Sequence, residues 1–411
     1  MRKHILVISQ YFYPEQFRIN DICKEWINRG YQVTVITGIP NYPQGRYYAN
    51  YGLFKKRKEQ HEGINIIRLP LIPRGHSPLM LALNYLSFVI SGFFWSHFTS
   101  IKADTVFIFE VSPMTQALPG VWYAKRRKIP CNLYVQDLWP ENVEIITGLK
   151  NKLILGAIGK MVDSIYRRCN RIFTTSESFV TAIAKRGVPE TKIEFWPQYA
   201  EGYEQAAEKA IIAEIPNDGR FNIIFAGNIG FAQGLEILPK TANLLKQSEV
   251  PVRFNFVGDG RFKNEFIRIV HDKGVEAWFN FIDRQPAGRI PELLAANDAA
   301  FLSLSANPLF SMTIPAKLQT YLAFGIPVIA SADGETQRIL KEAGAGFCSP
   351  AGDPEKLAEI IRMMAAESPD QLRQMAANAR AYSQLNFNKE TLLDRMDEHF
   401  NNRKMERETN V

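Results

Sequence analysis

Cysteines and paired histidines are scarce in this sequence. It has four cysteines and six histidines among 411 residues. No two cysteines form a CxxC pair, so the sequence predicts neither a disulfide framework nor a zinc site, and a reducing cytosol is the expected compartment. The histidines form no i,i+4 ligand pair and no triad with a serine elbow, which disfavours metal and acyl-transfer chemistry. No metal ion or other cofactor is therefore expected.

A complete GxGxxG fingerprint and a secretion signal are also missing. Neither the turn at residues 11–17 nor any later turn has the full glycine pattern. This argues against a NAD-dependent oxidoreductase. The first apolar run, residues 5–9, is too short for a signal peptide and predicts a buried strand instead.

Charged residues are absent from one long segment. The 27 residues between Arg74 and Lys102 contain no Asp, Glu, Lys or Arg. Residues 79–98 are long enough and apolar enough to span a membrane, but their polar residues, and the sheet that a span would split, argue against it. A buried core helix and a helix partly exposed to lipid headgroups are the other interpretations. Basic clusters at 55–58 and 125–128 would attract anionic lipid by about 1 kcal/mol per cation.

The two halves of the chain differ in charge. Residues 1–200 hold 26 Lys and Arg against 14 Asp and Glu, a net charge of +12. Residues 201–411 hold 23 against 28, a net charge of −5. This asymmetry indicates that one domain meets an anionic partner, a nucleic acid or a membrane surface, unless it is only a solvated basic face.

Short β-type runs alternate with helical patterns through both halves. Repeated βαβ order of this kind predicts parallel sheets covered by helices on both faces. The first set of predicted strands is 5–9, 32–38, 105–110, 131–136 and 171–175, and the second is 221–227, 252–258, 279–282, 299–304 and 327–331.

A stretch with several prolines and glycines, residues 197–219, predicts a connector between two domains. We therefore predict domains at 1–200 and 218–385. A helical tail at 386–411 is expected to pack back on the first domain. Because ligands bind beyond the carboxyl ends of parallel strands, the functional residues are expected on the loops that follow strands.

Two glycine-rich turns follow strands in the second half. Gly227, Gly230 and Gly234 lie just ahead of a predicted helix, and the sequence VGDGR at 257–261 repeats the arrangement after the next strand. Glycines in such turns let backbone amides approach an anion at a helix N-terminus. A tight strand-to-helix turn is the purely structural alternative.

The most specific motifs lie within residues 308–354. Pro315 and Lys317 stand at a helix start, Gly325-x-Pro-Val precedes a strand, and Gly344-x-Gly346 and PAGD at 350–353 follow. These motifs resemble the nucleotide-sugar site of family 4 glycosyltransferases, which are retaining enzymes of the GT-B fold. Further motifs extend the likeness over nearly the whole chain and resemble the WbuB-type subgroup: YFYPE at 11–15, RIND at 18–21, TGIPNYPQG at 37–45, NYLSF at 84–88 and QDLWPE at 136–141.

The resemblance implies an α/β protein of GT-B fold, with two Rossmann-like, doubly wound parallel-sheet domains facing across a cleft. The first domain would bind the acceptor and the membrane, and the second would bind the nucleotide-sugar. The implied reaction is retaining transfer of a sugar from a UDP-linked donor to a polyprenyl-pyrophosphate-linked saccharide in O-antigen or capsule synthesis. An N-acetylated aminosugar such as N-acetyl-L-fucosamine is the implied donor sugar. The implied location is the cytoplasm, peripherally attached to the anionic inner membrane surface.

The family's two donor-site glutamates are missing from this sequence. They are eight positions apart in the family and fall here on Met312 and Thr320. The second glutamate of the family binds the ribose hydroxyls, so the resemblance assigns that role here to Gln319, Thr320 or Glu335.

The usual Arg and Lys of the first glycine loop are likewise replaced, by Asn228 and Gln233. A diphosphate in a dry site still needs positive charge. Lys317 is the first candidate to supply it and Arg261 the second, with an ordinary solvated helix lysine or surface arginine as the alternative. The predicted donor site comprises Gly230, Gln233, Gly234, Arg261, Arg284, Lys317, Gln319, Thr320 and Glu335.

Asp137 is the predicted catalytic residue, because it ends the apolar run at 133–136 at the carboxyl end of a strand and would orient or deprotonate an acceptor hydroxyl. A helix-capping aspartate is the alternative. Glu110 and Glu15 are further candidates for this role. The residues predicted to bind the acceptor pyrophosphate are Arg18, Asn41 and Arg46.

Two other functions compete with sugar transfer. A sugar-nucleotide epimerase of the same fold would use the same diphosphate loops but needs acid and base carboxylates. A basic nucleic-acid-binding protein would use the positive half, yet the aromatic residues there lie in apolar runs and are not interleaved with Lys and Arg as stacking platforms.

Overall fold

The computed structural model describes residues 2–148, 150–199 and 210–401, and for residues 145–147 it describes the backbone alone. The described chain separates into two compact units. The first draws on Met1–Thr175, Phe179–Trp196 and Glu398–Val411, and the second on Ser176–Ser178 and Pro197–Asp397. Residues 200–209 of the predicted connector and residues 402–411 of the predicted tail lie outside the described residues.

The first unit is built on an eight-stranded sheet. Its strands are β1 (His4–Ile8), β2 (Gln32–Gly38), β3 (Lys58–His61), β4 (Ile64–Leu69), β5 (Thr105–Glu110), β6 (Cys131–Val135), β7 (Arg171–Thr174) and β8 (Ile193–Phe195). Its helices are α1 (Arg18–Asn28), α2 (Pro78–Phe98), α3 (Leu118–Arg127), α4 (Glu141–Thr147), α5 (Lys152–Arg168) and α6 (Glu177–Ala184), of which α6 begins within the segment that groups with the second unit.

The strand order in this sheet is β3-β4-β2-β1-β5-β6-β7-β8. All neighbours are parallel except β3 and β4, which form an antiparallel hairpin at one edge. The sequence pattern does not predict this hairpin. The central strands β1, β5 and β6 are buried along almost their whole length, as expected of parallel strands with both faces covered.

The second unit is built on a six-stranded parallel sheet of order β11-β10-β9-β12-β13-β14. Its strands are β9 (Phe221–Ala226), β10 (Val252–Val257), β11 (Phe279–Ile282), β12 (Ala299–Ser303), β13 (Val328–Ser331) and β14 (Gly346–Ser349). Its helices are α7 (Leu238–Gln247), α8 (Lys263–Asp272), α9 (Ile290–Ala295), α10 (Pro308–Ser311), α11 (Ala316–Phe324), α12 (Glu335–Ala343), α13 (Pro354–Ala366), α14 (Pro369–Asn386) and α15 (Lys389–Asn401), whose last residues group with the first unit.

Alternate residues of β9 belong to two separate hydrophobic cores. Ile224 belongs to a buried cluster that includes Leu318 and Leu322 of α11. Ile223 belongs to a different cluster that includes Leu238 of α7. Successive side chains of a strand point to opposite faces, so the sheet is covered by helices on both sides. The predicted doubly wound α/β fold is confirmed.

The end of α15 packs within the first unit. The Phe400 ring lies 5.3 Å from the Trp26 ring and 5.7 Å from the Tyr31 ring, measured between centroids. Lys3 Nζ donates a hydrogen bond to the Phe400 carbonyl. His399 Nε2 lies 2.7 Å from a Glu194 carboxylate oxygen.

Helix α2 buries a stripe that consists mainly of polar and small residues, and most of its large apolar residues are exposed. It begins at Ser77, whose side chain accepts a hydrogen bond from the Met80 amide, and Asn84, Phe88, Gly92 and Ser96 form a buried stripe four residues apart. Gly92 allows close packing on α3, since a Cβ there would lie 2.2 Å from Pro119 Cγ.

The opposite face of α2 is exposed to solvent. Leu79 is 70% exposed and Phe98 81% exposed, with Leu86, Ile90 and Phe94 between them also exposed. The interpretation of this segment as a buried core helix is therefore wrong. Within the described ranges, α2 is the one helix whose length and composition would suffice to cross a membrane.

Candidate functional site

In the second unit, the loops after β9 and β10 pack backbone against backbone. Gly227 and Gly258 have φ angles of 136° and 141°, which L side chains rarely adopt. A Cβ on Gly258 would lie 2.0 Å from the Gly227 carbonyl oxygen. Glycine is therefore required for these two loops to lie side by side.

The glycine loop after β9 is fixed by the end of β12. The Ser305 amide donates to the Ala232 carbonyl at 3.0 Å, and the Ser305 hydroxyl donates to the Phe231 carbonyl at 2.9 Å. The Ser303 hydroxyl donates to the Gln233 carbonyl. This short loop carries the predicted donor residues Gly230, Gln233 and Gly234. Their backbone is therefore held in place by hydrogen bonds from the end of β12.

Lys317 lies directly over this loop. Its Nζ donates a hydrogen bond to Gln233 Oε1 at 2.7 Å and is 3.7 Å from the centroid of the Phe225 ring. A Cβ on Gly227 would lie 2.6 Å from Lys317 Cε, so the glycine makes room for the lysine stem. One turn later in α11, the Tyr321 hydroxyl accepts a hydrogen bond from the Ala226 amide at 3.1 Å, which locks the helix against the end of β9.

The charge of Lys317 has no counter-ion among the residues that the structure describes. No carboxylate oxygen of the described residues lies within ion-pair distance of its Nζ, and burial lowers its pKa to about 7. A partly buried ammonium with a neutral amide and an aromatic face as its neighbours is suited to receive an anion. Lys317 and Gln233, both predicted for the donor site, are thus in direct contact.

The two predicted arginines lie on loops that follow strands β10 and β11. Arg261 follows β10 and Arg284 follows β11, and both are exposed. Neither makes a side-chain hydrogen bond or ion pair with another residue in the described part of the chain. Their roles as donor ligands remain predictions.

The three candidates for the ribose role differ in what they already bind. The Thr320 hydroxyl donates to the Ala316 carbonyl of its own helix at 3.0 Å. Gln319 is buried, and its Nε2 donates to the Gln198 carbonyl.

Glu335, the third of these candidates, is buried at the start of α12. Its Oε1 accepts hydrogen bonds from the Ser178 amide at 2.7 Å and the Ser178 hydroxyl at 2.6 Å. Its Oε2 accepts one from Arg338 at 2.7 Å. Spare acceptor capacity is therefore left mainly on Oε2, and the ribose role of Glu335 remains a prediction.

In the first unit, Asp137 is held at the carboxyl end of β6 by Ser112. Asp137 Oδ2 accepts hydrogen bonds from the Ser112 amide at 2.7 Å and the Ser112 hydroxyl at 2.8 Å. The hydroxyl in turn accepts from Asn142 Nδ2 at 2.8 Å and Trp139 Nε1 at 3.2 Å. Helix α4 has Pro140 at its N-cap position, so the interpretation of Asp137 as the cap of that helix is wrong.

The two other carboxylates considered as the catalytic base are buried, and burial raises the pKa of each. Glu110 is completely buried at the end of β5, and burial, aided by the charge of Asp137, raises its pKa well above the usual range. Glu15 accepts backbone hydrogen bonds from Asn41 at 2.8 Å and Tyr42 at 2.7 Å. Burial raises the pKa of Glu15 to about 7 in spite of these bonds.

The three residues predicted to bind the acceptor differ in burial and in the contacts they already make. Asn41 is buried, donates to the Ile39 carbonyl at 2.9 Å and accepts from the Arg74 amide at 2.9 Å, so it holds the loop in shape. Arg18 is partly buried, with one nitrogen 3.9 Å from an Asp21 oxygen. Arg46 is fully on the surface. Direct binding of an acceptor by these three residues remains a prediction.

Sequence reasoning did not single out Arg74 and Tyr85 as site residues. Arg74 lies in the loop before α2 and Tyr85 lies on α2 itself, beside the buried Asn84. The NYLSF motif at 84–88, which contains Tyr85, was the only sequence signal for these two residues.

No group of three or more His, Cys, Asp or Glu residues suited to a metal ion occurs in the parts of the chain that the structure describes.

Two family models match the chain, one after the other. Residues 16–198 match the glycosyl transferase 4-like domain, and residues 207–382 match the glycosyl transferases group 1. A protein of Escherichia coli (strain K12) that is named as a colanic acid biosynthesis glycosyl transferase, WcaI, is 26% identical over 393 residues. That alignment covers 90% of this chain and 92% of the relative.

Solved structures share the fold over almost the whole chain. Sucrose-phosphate synthase from Thermosynechococcus elongatus has a TM-score of 0.70 and 17% identity, with 97% of this chain and 98% of that chain covered. The Anabaena protein Alr3699/HepE, solved in complex with UDP-glucose, has a TM-score of 0.65 and 17% identity, with 96% and 98% covered. At this identity the likeness concerns the fold alone.

The family matches decide between the functions that the sequence left open. They confirm the predicted transferase over the epimerase and the nucleic-acid-binding protein, since both matched domains are those of sugar-transferring enzymes. From its two matched domains and its two α/β units, this chain belongs to the group 1 glycosyl transferases with a 4-like N-terminal domain, and it is a glycosyltransferase of the GT-B fold.

Proposed function

We propose that this glycosyltransferase moves a sugar from a UDP-sugar to a lipid-linked saccharide at the cytoplasmic face of a bacterial membrane, with retention of anomeric configuration. The product would be an intermediate of a surface polysaccharide. The observation that carries the proposal is Lys317, whose ammonium lies above the glycine loop of the second unit and has no counter-ion within the described ranges of the chain.

The donor assignment rests on charge and on the loop geometry. A nucleotide diphosphate supplies the anion that Lys317 lacks. Ala316 and Lys317 lie in the first turn of α11, where backbone N–H groups have no intrahelical acceptor and the helix dipole favours negative charge. The structurally similar protein solved in complex with UDP-glucose supports uridine as the nucleoside.

The chemistry of transfer places negative charge on the departing diphosphate. The transition state has oxocarbenium character, so fixed donors aimed at the leaving oxygen accelerate the reaction. Lys317 and the backbone amides around Gly230 are the donors proposed for this task. Asp137, which keeps Oδ1 available while Ser112 holds Oδ2, would orient or deprotonate the acceptor hydroxyl.

The acceptor assignment rests on the first unit. Large apolar side chains of α2 are exposed. Basic residues lie next to them: Arg126 of α3 donates a hydrogen bond to the His97 carbonyl near the end of α2. An apolar face bordered by cations suits the headgroup region of an anionic membrane. The relative named for colanic acid synthesis supports a polysaccharide pathway. An N-acetylated aminosugar remains the proposed donor sugar.

The reaction is tested by incubating the purified protein with a panel of UDP-sugars and polyprenyl-pyrophosphate-linked saccharides. We expect one combination to give a mass gain of one sugar on the lipid, and nuclear magnetic resonance of that product to show a retained anomeric configuration. Consumption of UDP-sugars without any glycosylated lipid across a broad panel would contradict the proposed acceptor. Failure to bind UDP at all would contradict the proposed donor.

Membrane attachment is tested by flotation with vesicles that contain anionic phospholipid. The double variant Leu86→Ser with Phe94→Ser removes two exposed apolar side chains of α2, and we expect it to float much less than the wild type. Leu385→Ser, at a residue 78% exposed in the second unit, is the matched control and should float normally. Equal flotation of all three proteins would argue against docking through α2.

A further inference from the structure

Arg74 has a fixed backbone and, among the described residues, no carboxylate partner. It lies in the loop between β4 and α2, and its amide donates a hydrogen bond to Asn41 Oδ1 at 2.9 Å. Its guanidinium carbon lies 5.1 Å from the centroid of the Tyr42 ring. Throughout the described ranges, no carboxylate oxygen comes within ion-pair distance of this guanidinium. Arg74 is only partly buried, so its side chain is held by an aromatic face and remains open to an anion.

Two tyrosines, Tyr11 and Tyr85, lie near Arg74. The Tyr42 ring, over which Arg74 lies, is 5.6 Å from the Tyr11 ring, measured between centroids. Tyr11 follows β1, is almost completely buried, and stacks on Phe17 at a centroid distance of 5.2 Å. Burial raises the pKa of Tyr11 far above its usual value, Tyr85 raises it further, and the charge of Arg74 opposes this rise. Among the residues that the structure describes, the buried Tyr11 hydroxyl has no hydrogen-bond partner of ordinary geometry, although Arg74 and Tyr85 are near enough to shift its pKa.

Tyr85 links this cluster to Asp137. Burial raises the pKa of Tyr85; the charge of Arg74 and the Tyr11 hydroxyl oppose this rise, and the charge of Asp137 adds to it. These residues come from four separate elements of the first unit: the ends of β1 and β6, the loop after β4, and helix α2.

Helix α2 places this polar cluster beside an apolar surface. Tyr85 directly follows Asn84, whose Nδ2 donates to the Ile72 carbonyl at 2.6 Å and so ties this turn of the helix to the Arg74 loop. The next residue, Leu86, is 54% exposed on the apolar face. A ligand that reaches both surfaces must combine an anionic group with a lipid chain.

We propose that Arg74, Tyr85 and Tyr11 bind the diphosphate of a lipid-diphosphate-linked acceptor, with its lipid chain along the exposed face of α2. This inference rests on the proposed function, since it assumes that the acceptor is lipid-linked. It assigns direct recognition to Arg74 and gives Asn41 the role of holding the Arg74 loop. A guanidinium with two phenolic hydroxyls supplies charge-assisted and neutral hydrogen bonds to phosphate oxygens. The sugar next to the diphosphate would then extend toward Asp137.

The inference is tested by calorimetric titration with farnesyl diphosphate in a non-ionic detergent, with farnesol as the uncharged probe. Arg74→Gln is expected to bind farnesyl diphosphate at least about tenfold more weakly, since a charge-assisted hydrogen bond is worth roughly 1.5–3 kcal/mol. Arg74→Lys should recover part of the loss, and Tyr85→Phe should weaken binding several-fold. Farnesol binding should be the same in all variants.

Two controls separate specific recognition from general charge and from misfolding. Arg167→Gln removes an exposed arginine of α5 in the same unit and should bind farnesyl diphosphate like the wild type. UDP affinity, measured on every variant, should not change, because the donor residues lie in the second unit. Inorganic pyrophosphate is the third probe, and it should bind more weakly than farnesyl diphosphate and lose affinity in Arg74→Gln.

Four results would overturn the inference. These are wild-type affinity in Arg74→Gln, an equal loss in Arg167→Gln, equal binding of pyrophosphate and farnesyl diphosphate by the wild type, and no binding of farnesyl diphosphate by a protein that still binds UDP. A wild-type protein that binds farnesyl diphosphate but not UDP would instead contradict the proposed donor and leave the Arg74 subsite supported.

Discussion

Replacing Lys317 by methionine is the sharpest test of the donor site. Methionine keeps an unbranched apolar stem over Gly227 and the Phe225 ring but removes the charge. A hydrogen bond from a charged group to phosphate contributes roughly 1.5–3 kcal/mol, so UDP affinity should fall about 10- to 150-fold. Lys246→Met, at an exposed lysine of α7 in the same unit, should leave the affinity unchanged. Isothermal titration calorimetry with UDP measures all three proteins.

The pH dependence of UDP binding gives a second test of the same residue. Burial lowers the pKa of Lys317 to about 7, so half of the lysine is charged at pH 7 and only about 1% at pH 9. The diphosphate binds the charged form, and its own last ionisation is nearly complete above pH 7. Wild-type affinity should therefore fall between pH 7 and pH 9, by as much as about 50-fold if bound UDP keeps the lysine protonated. Lys317→Met should show a flat profile.

The same lowered pKa predicts a gain in stability for the variant without ligand. Between pH 7 and about pH 10 the unfolded chain binds more protons at this lysine than the folded protein does. Stability of the wild type should therefore rise with pH across that window, and the penalty for charged Lys317 is greatest below it. Lys317→Met should melt at a higher temperature than the wild type at pH 6.5, with a smaller difference at pH 9.

A charge moved to the neighbouring position should rescue the variant. Gln233 Oε1 lies 2.7 Å from Lys317 Nζ, so Gln233→Lys in the Lys317→Met background would return an ammonium to nearly the same place. We expect this double variant to regain part of the lost UDP affinity. The reasoning is refuted if Lys317→Met binds UDP as tightly as the wild type, or if the wild-type affinity does not change between pH 7 and pH 9.

Three further variants test other parts of the molecule. Phe400→Ala removes a buried ring and should destabilise the protein by about 3–5 kcal/mol, measured by chemical denaturation. Ser112→Ala removes one of two hydrogen bonds that hold Asp137 and should slow transfer about tenfold without a change in donor KM, measured by steady-state kinetics. Gly227→Ala places a Cβ 2.6 Å from Lys317 Cε and should weaken UDP binding, measured by calorimetry, about tenfold, while the corresponding Gly288→Ala, at a glycine with open space around it, should not.

Strand positions could be predicted closely because buried parallel strands are continuous apolar runs. The predicted strands at 32–38, 105–110 and 279–282 coincide with β2, β5 and β11, and most others differ by one residue at an end. Strand β3 was missed because it has the polar sequence KEQH at the sheet edge. Strand β4, INIIRL, was missed although its pattern is largely apolar. Short edge strands such as β8 and β14 carry too few residues to form a recognisable pattern.

The orientation of α2 could not be predicted from its composition. An apolar run of this length has no polar face to mark which side packs on the protein. The answer lies in residues that look incidental in the sequence: Asn84 bonds to the Ile72 carbonyl, and Gly92 fits against Pro119. These contacts fix the small and polar stripe inward and turn the large residues outward. Arg74 and Tyr85 were missed because the residues near them in the structure are distant in sequence.

The contact between Lys317 and Gln233 in the proposed donor site offers a physical reason why this chain departs from its family's pattern at the first glycine loop. A lysine at position 233 and the observed lysine at position 317 would bring two ammonium groups close together, where like charges repel strongly in a partly buried site. Gln233 avoids this and accepts a hydrogen bond from Lys317. The single cation is thereby carried by a helix that Tyr321 locks to the end of β9, and not by the loop itself. The glycine loop therefore needs no cation of its own, because Lys317 of α11 brings a positive charge to the same backbone turn.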